Sequence, residues 1–138
     1  MDCIFCKIIK GEIPCFKIFE DKTVFVFLDV SPITLGHCLI IPKTHFENIF
    51  DINDSDLQKI IVVAKKLSEK IKNNLRADGI RISQSNGKAA GQDIMHFHLH
   101  IIPRYKNDGF SNNPALTIHS PKADFKELKE LVKKIQSL

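Results

Sequence analysis

The segment His96-Phe97-His98-Leu99-His100-Ile101-Ile102 constrains this chain more than any other. Strict polar–apolar alternation has the two-residue period of a β-strand, whose successive side chains point to opposite faces. Read as a strand, Phe97, Leu99 and Ile101 enter a core. His96, His98 and His100 then stand along the other face, ~7 Å apart at ~3.3 Å per residue. On a helix the same imidazoles would scatter around the axis with no common target. Three of the chain's six histidines stand in this one row. Neutral imidazoles offer a surface little solubility, so the row points to chemistry.

Such a strand needs partners, and the flanking sequence supplies them. Lys17 to Glu20 and Thr23 to Asp29 are strand-like, with Asp21-Lys22 as the turn between them. Gly36 to Pro42 is a short apolar run closed by proline, and Ile80 to Ser85 alternates again before an Asn86-Gly87 turn. Residues 3–10 read as a short helix ended by Gly11. A long helix, capped by Asp54 or Ser55, keeps Leu57, Ile60, Ile61, Ala64, Leu67, Ile71 and Leu75 at a 3.6-residue period and ends near Asp78-Gly79. A second helix, about Asp124 to Gln136, closes the chain. The expected fold is α+β: an antiparallel sheet of about five strands, one long helix and one C-terminal helix. No linker or internal repeat divides the sequence, so residues 1–138 are read as one domain.

Charge excludes some functions. The net charge is +4, but the lysines are dispersed, and no basic run or arginine–aromatic interleaving marks a nucleic-acid surface. Met1-Asp2-Cys3 lacks the basic and apolar regions of a signal peptide, and no stretch reaches the ~18 apolar residues of a membrane span. The expectation is a cytoplasmic protein without a membrane partner, its four cysteines reduced.

Two kinds of chemistry suit the histidine row. One zinc ion cannot take all three imidazoles, because His96 and His100 lie roughly 13 Å apart along a strand and zinc holds nitrogen at ~2.0–2.1 Å. Two neighbours at i and i+2 can share a metal. Group transfer uses the row better. A neutral imidazole, near its pKa of ~6.5, attacks phosphorus to form a phosphoramidate, and a neighbouring imidazole donates to the phosphoryl oxygens. Upstream, Asn86-Gly87-Lys88-Ala89-Ala90-Gly91-Gln92 is a glycine- and alanine-rich loop whose N–H groups can approach a phosphate. Cys3-x-x-Cys6 is separate: it reads as a metal, redox or accidental pair, and zinc would need two further ligands.

The row at 96–102 resembles the signature of the histidine-triad (HIT) family of nucleotide-binding proteins. Other segments agree in order: Cys3 to Ile9 with Gly11-Glu12-Ile13-Pro14, then Phe27-Leu28-Asp29-Val30-Ser31-Pro32. Gly36-His37 through Pro42-Lys43-Thr44-His45, Gly91-Gln92 and Ile102-Pro103-Arg104 follow, so the resemblance spans roughly residues 3 to 110. It is nearest the Hint-like branch, which hydrolyses nucleoside phosphoramidates and acyl-nucleotides.

The resemblance implies that His98 takes the nucleoside monophosphate and later yields it to water, while His100 contacts the phosphoryl group. It implies that Asp29 binds the ribose hydroxyls and that Phe5, Ile9, Phe27 and Val30 enclose a purine base. Asn86, or Ser85 one register step away, and Gly91, Gln92 and Asp93 would meet the phosphate and leaving group. Structural zinc is implied at Cys3, Cys6, His45 and His96. A homodimer is implied too, joining the long helix and the strand Ile80 to Ser85 and continuing the sheet across the interface. Asp93 departs from the best-known members, which have serine or threonine there. An ionised aspartate cannot donate a hydrogen bond, so either Asp93 is protonated, or its backbone N–H serves, or it binds a basic leaving group such as a lysine amine. Two other readings remain: a dinucleoside polyphosphate hydrolase, and a nonenzymatic zinc- and nucleotide-binding adaptor.

Overall fold

The computed structural model describes residues 2–109 and 124–136. Helix α1 (Ile4–Ile9) precedes strands β1 (Lys17–Glu20), β2 (Val24–Leu28) and β3 (Cys38–Pro42). The long helix α2 (Asp54–Asn74), strands β4 (Gly79–Ser83) and β5 (Leu99–Arg104), and helix α3 (Phe125–Gln136) follow. The strands form one sheet in the order β1-β2-β3-β5-β4, and every neighbouring pair is antiparallel. The expected α+β architecture is therefore the observed one. Among the described residues no helix is long and apolar enough to cross a membrane.

Both faces of the sheet are covered, which explains why β2 and β3 are buried at every position. Val24, Val26, Leu28, Cys38 and Ile40 point to one side, where they meet Ile60, Ala64, Leu67 and Ile71 of α2 and Leu128 and Ile135 of α3. Phe25, Phe27, Leu39 and Ile41 point to the other side and meet Phe5 and Ile8 of α1. The histidine segment obeys the same alternation. Phe97, Leu99 and Ile101 join the α2 side. His100 pairs in register with Leu39, so it shares the α1 side.

Three local expectations shift. The ladder of β5 begins at Leu99, so His96 to His98 approach the sheet as extended chain rather than as paired strand. Phe97 N–H instead bonds Phe46 O at 2.7 Å, which draws the Thr44-His45 segment alongside. The cap of α2 is Asn53, whose side chain accepts from Asp56 N–H, not Asp54 or Ser55. That helix stops at Asn74 rather than near Gly79. Arg76 turns to a left-handed φ of 55°, and Asp78 N–H already donates to Arg104 O, so the sheet has claimed the segment. Gly36, in the turn before β3, has φ +98° and no room for a side chain: an added Cβ would lie 2.5 Å from Leu75 Cδ1.

Candidate active site and metal centre

Tautomers can be read from which partners are obligate acceptors or donors. His96 is wholly buried, and its Nε2–H donates to Pro42 O at 2.9 Å. Burial pushes its pKa down to about 4, so the ring is neutral and Nδ1 is a bare lone pair. That lone pair faces Cys3 Sγ at 3.4 Å, Cys6 Sγ at 3.6 Å and His45 Nδ1 at 3.1 Å. Cys6 Sγ also lies 3.4 Å from His45 Nδ1. A tetrahedral zinc ion with ~2.3 Å sulfur and ~2.0–2.1 Å nitrogen bonds would need N–N edges of about 3.3 Å and N–S edges of about 3.6 Å. The four donors fit zinc. Burial, then the neighbouring Cys3, raises the Cys6 thiol pKa, a balance that a bound divalent cation would reverse.

His98 faces the opposite way along the same backbone. Its Nδ1–H donates to His96 O at 2.7 Å, which leaves the Nε2 lone pair unprotonated in the neutral ring. Its ring packs edge-on against Phe5, centroids 5.3 Å apart, and 5.0 Å from the His100 ring.

His100 is set by a residue to which sequence reasoning assigned no role, His37. Ile33 N–H donates to His37 Nδ1 at 3.1 Å, so the His37 proton sits on Nε2. That Nε2–H points at His100 Nδ1, 2.9 Å away. A neutral His100 then carries its own proton on Nε2, on the side away from His37. The available signal was a histidine opening an otherwise apolar strand, a buried polar group that needs a partner. Asp29 closes this group. Its Oδ1 accepts Ser31 N–H at 2.8 Å, and Oδ2 lies 3.7 Å from His37 Nε2. Asp29, His37 and His100 cluster tightly enough for a metal. The Ile33 bond argues against one, because it keeps the inward-facing His37 nitrogen protonated.

The apolar residues expected around the base gather on the α1 side. Phe5 and Phe27 stack edge-on at 5.5 Å, Ile9 packs beside them, and Val30 stays exposed next to Asp29. The loop residues divide. Gly91 takes a left-handed φ of 92° that ends the turn Lys88–Ala90. Gln92 is buried, and its amide accepts Gly87 N–H and donates to Glu47 O and Ile94 O, so it clasps the loop. Asn86 is turned to Ile49 N–H and the Gln84 amide, so its side chain is spent on the neighbouring loop. Asp93 remains exposed, its Oδ1 3.6 Å from His98 Nε2.

This arrangement has relatives. The HIT domain family matches residues 10–107, and the chain belongs to that family. An uncharacterised HIT-like protein of Borreliella burgdorferi is 43% identical over 129 residues, 92% of this chain and 93% of that one. The adenosine 5′-monophosphoramidase HNT1 of Candida albicans is 45% identical over 106 residues, 74% of this chain and 70% of that one. The crystal structure of a zinc-bound histidine triad family protein from Mycobacterium smegmatis superposes with a TM-score of 0.82 at 31% identity, covering 99% of this chain and 91% of that one.

Proposed function

We propose that this protein hydrolyses nucleoside phosphoramidates or acyl-nucleotides through a covalent nucleotidyl-His98 intermediate and releases the nucleoside monophosphate. The observation that carries the reading is the tautomer of His98: His96 O holds the proton on Nδ1, so Nε2 is the nucleophilic lone pair. When Nε2 bonds to phosphorus the ring becomes a cation, and the same carbonyl stabilises it. His100 Nε2–H, oriented by His37, donates to the phosphoryl oxygens as charge builds there. Asp29 accepts from the ribose hydroxyls, and Phe5, Ile9, Phe27 and Val30 hold a purine base. Gly91 shapes the phosphate side, while Gln92 and Asn86 hold the loop that carries it. The Candida relative named for monophosphoramidase activity supports this substrate class.

Cys3, Cys6, His45 and His96 would hold a structural zinc ion, which supplies a closed tetrahedral tie between α1 and the histidine segment. The zinc-bound relative from Mycobacterium smegmatis supports that assignment. The active form is read as a homodimer: Ile61 and Val62 on α2 and Ile82 on edge strand β4 are exposed apolar residues.

Intact-mass measurement of protein quenched during turnover of an adenosine phosphoramidate tests the mechanism. One added AMP is expected, absent in His98→Ala, which loses turnover but still binds AMP. Turnover by His98→Ala within tenfold of the wild type would rule the covalent route out.

A further inference from the structure

A nucleotidyl-histidine must be hydrolysed, and the groups near His98 are not equal candidates for activating the water. His96 sends its free nitrogen into the cysteine cluster. His100 and His37 already form a donor chain, so the nitrogen that His100 turns outward carries a proton. Asp29 binds Ser31 N–H and faces His37. The Asp51 carboxylate is held by Glu47 N–H and Asn48 N–H. Among the described residues, Asp93 alone has a carboxylate oxygen within 4 Å of a His98 ring nitrogen. That oxygen lies 3.6 Å from Nε2, the atom that carries phosphorus in the intermediate.

The position of Asp93 is built rather than incidental. Its Oδ1 also accepts Ile94 N–H at 2.9 Å, which fixes the side chain. The buried Gln92 clasp just before it anchors the loop to Glu47 and Ile94. The side chain is 73% exposed, so water reaches it and a proton can leave it. A general base acts at hydrogen-bond reach, about 2.6–3.2 Å, of the water it activates, and Asp93 supplies a solvent-accessible carboxylate beside the atom that carries phosphorus.

Resting on the covalent reading above, we infer that Asp93 is the general base of the second half-reaction, a catalytic residue for hydrolysis of the nucleotidyl-enzyme. The water oxygen bonds to phosphorus as one water proton passes to the Asp93 carboxylate. The P–Nε2 bond breaks, its electron pair returns to Nε2, and His98 leaves as a neutral imidazole still carrying Nδ1–H. Asp93 then releases the proton to solvent beside the nucleoside monophosphate. A carboxylate that accepts a proton from water suits the hydrolytic step.

Rapid-quench kinetics with an adenosine phosphoramidate of a fluorescent amine separates the two half-reactions. In Asp93→Asn, which keeps an oxygen for Ile94 N–H, amine release should show a burst of one equivalent per site at a rate within threefold of the wild type. Steady-state turnover should fall by ~100-fold, within the usual range for a general base, and quenched protein should carry one AMP. Azide, a nucleophile with no proton to lose, should raise the variant's turnover far more than the wild type's. Steady-state turnover within threefold of the wild type would overturn the inference. So would loss of the burst without AMP adduct, which would make Asp93 a contact of the first step or of the leaving group. If wild-type protein turns over but never carries AMP, the covalent reading itself falls, and the assignment of Asp93 with it.

Discussion

At the scale of single residues, the candidate site is governed by where protons sit. Three imidazoles each have one nitrogen committed to an obligate partner: His96 to Pro42 O, His98 to His96 O, His37 to Ile33 N–H. The other nitrogen is thereby left a lone pair in His96 and His98 and a donor in His37, which are the states the proposed metal and nucleophile roles require. Neutral imidazole permits this because its two nitrogens have opposite roles. Asp29 plays a different part, and its removal should separate binding from chemistry. Asp29→Ala is expected to weaken AMP affinity by about 10- to 100-fold, from the loss of charge-assisted hydrogen bonds at ~1.5–3 kcal/mol. Titration calorimetry checks it; unchanged affinity would remove Asp29 from the ribose site.

At the scale of elements, α1 is the part that cannot stand alone. Six residues are too few for a stable isolated helix, and fixing their backbone costs roughly 6–12 kcal/mol at about 1–2 kcal/mol each. Phe5 and Ile8 bury apolar surface against the sheet. In zinc-finger peptides a structural zinc contributes roughly 10–16 kcal/mol, so an ion at the proposed site would offset that cost. Protein purified without chelator should contain about one zinc per chain, and the Cys3→Ser/Cys6→Ser double variant should lose it. Its melting temperature should fall, as should that of the chelated wild type. Because Phe5 touches the His98 ring, nucleotide turnover should fall as well. Metal-free protein whose melting curve ignores chelator would refute the site. The loop before His96 depends on one side chain. Gln92→Ala strips partners from Gly87 N–H, Glu47 O and Ile94 O, and should lower unfolding free energy by about 1–3 kcal/mol in urea titration.

At the scale of the whole molecule, the sheet ends in two edges, β1 and β4. Gln136 near the end of α3 donates to Ile18 O in β1, so that edge has company from its own chain. β4 is only half-buried and presents Ile82, while Ile61 and Val62 stand exposed on α2. Among the described residues no further strand pairs with β4; an edge with apolar neighbours invites a second copy, and a two-fold contact would use the same patch on both chains. Light scattering at tens of micromolar should give about twice the 15.7 kDa chain mass. A monomer mass there, or an unchanged dimer mass after Ile82→Lys with Ile61→Lys, would show that this surface is not the interface.

Much of this was legible from residue order. Alternation in Phe97, Leu99 and Ile101 assigned the buried face, since a strand has no other way to separate apolar from polar side chains. The 3.6-residue period placed α2 on one side of the sheet, where Ile60, Ala64, Leu67 and Ile71 are buried. The cysteine pair and the histidine row were visible as donors. Their assembly was legible only through the family resemblance and not from residue spacing, because Cys3, Cys6, His45 and His96 are far apart in the chain and meet only when α1 packs beside the Phe46–Phe97 contact. The end of α2 was decided by competition: its period continues to Leu75, but hydrogen bonding of Asp78 to Arg104 takes the chain into the sheet. Tautomers were beyond the sequence for the same reason. A histidine's own chemistry is symmetric enough to use either nitrogen, and only the carbonyl or N–H that folding brings beside it chooses between them.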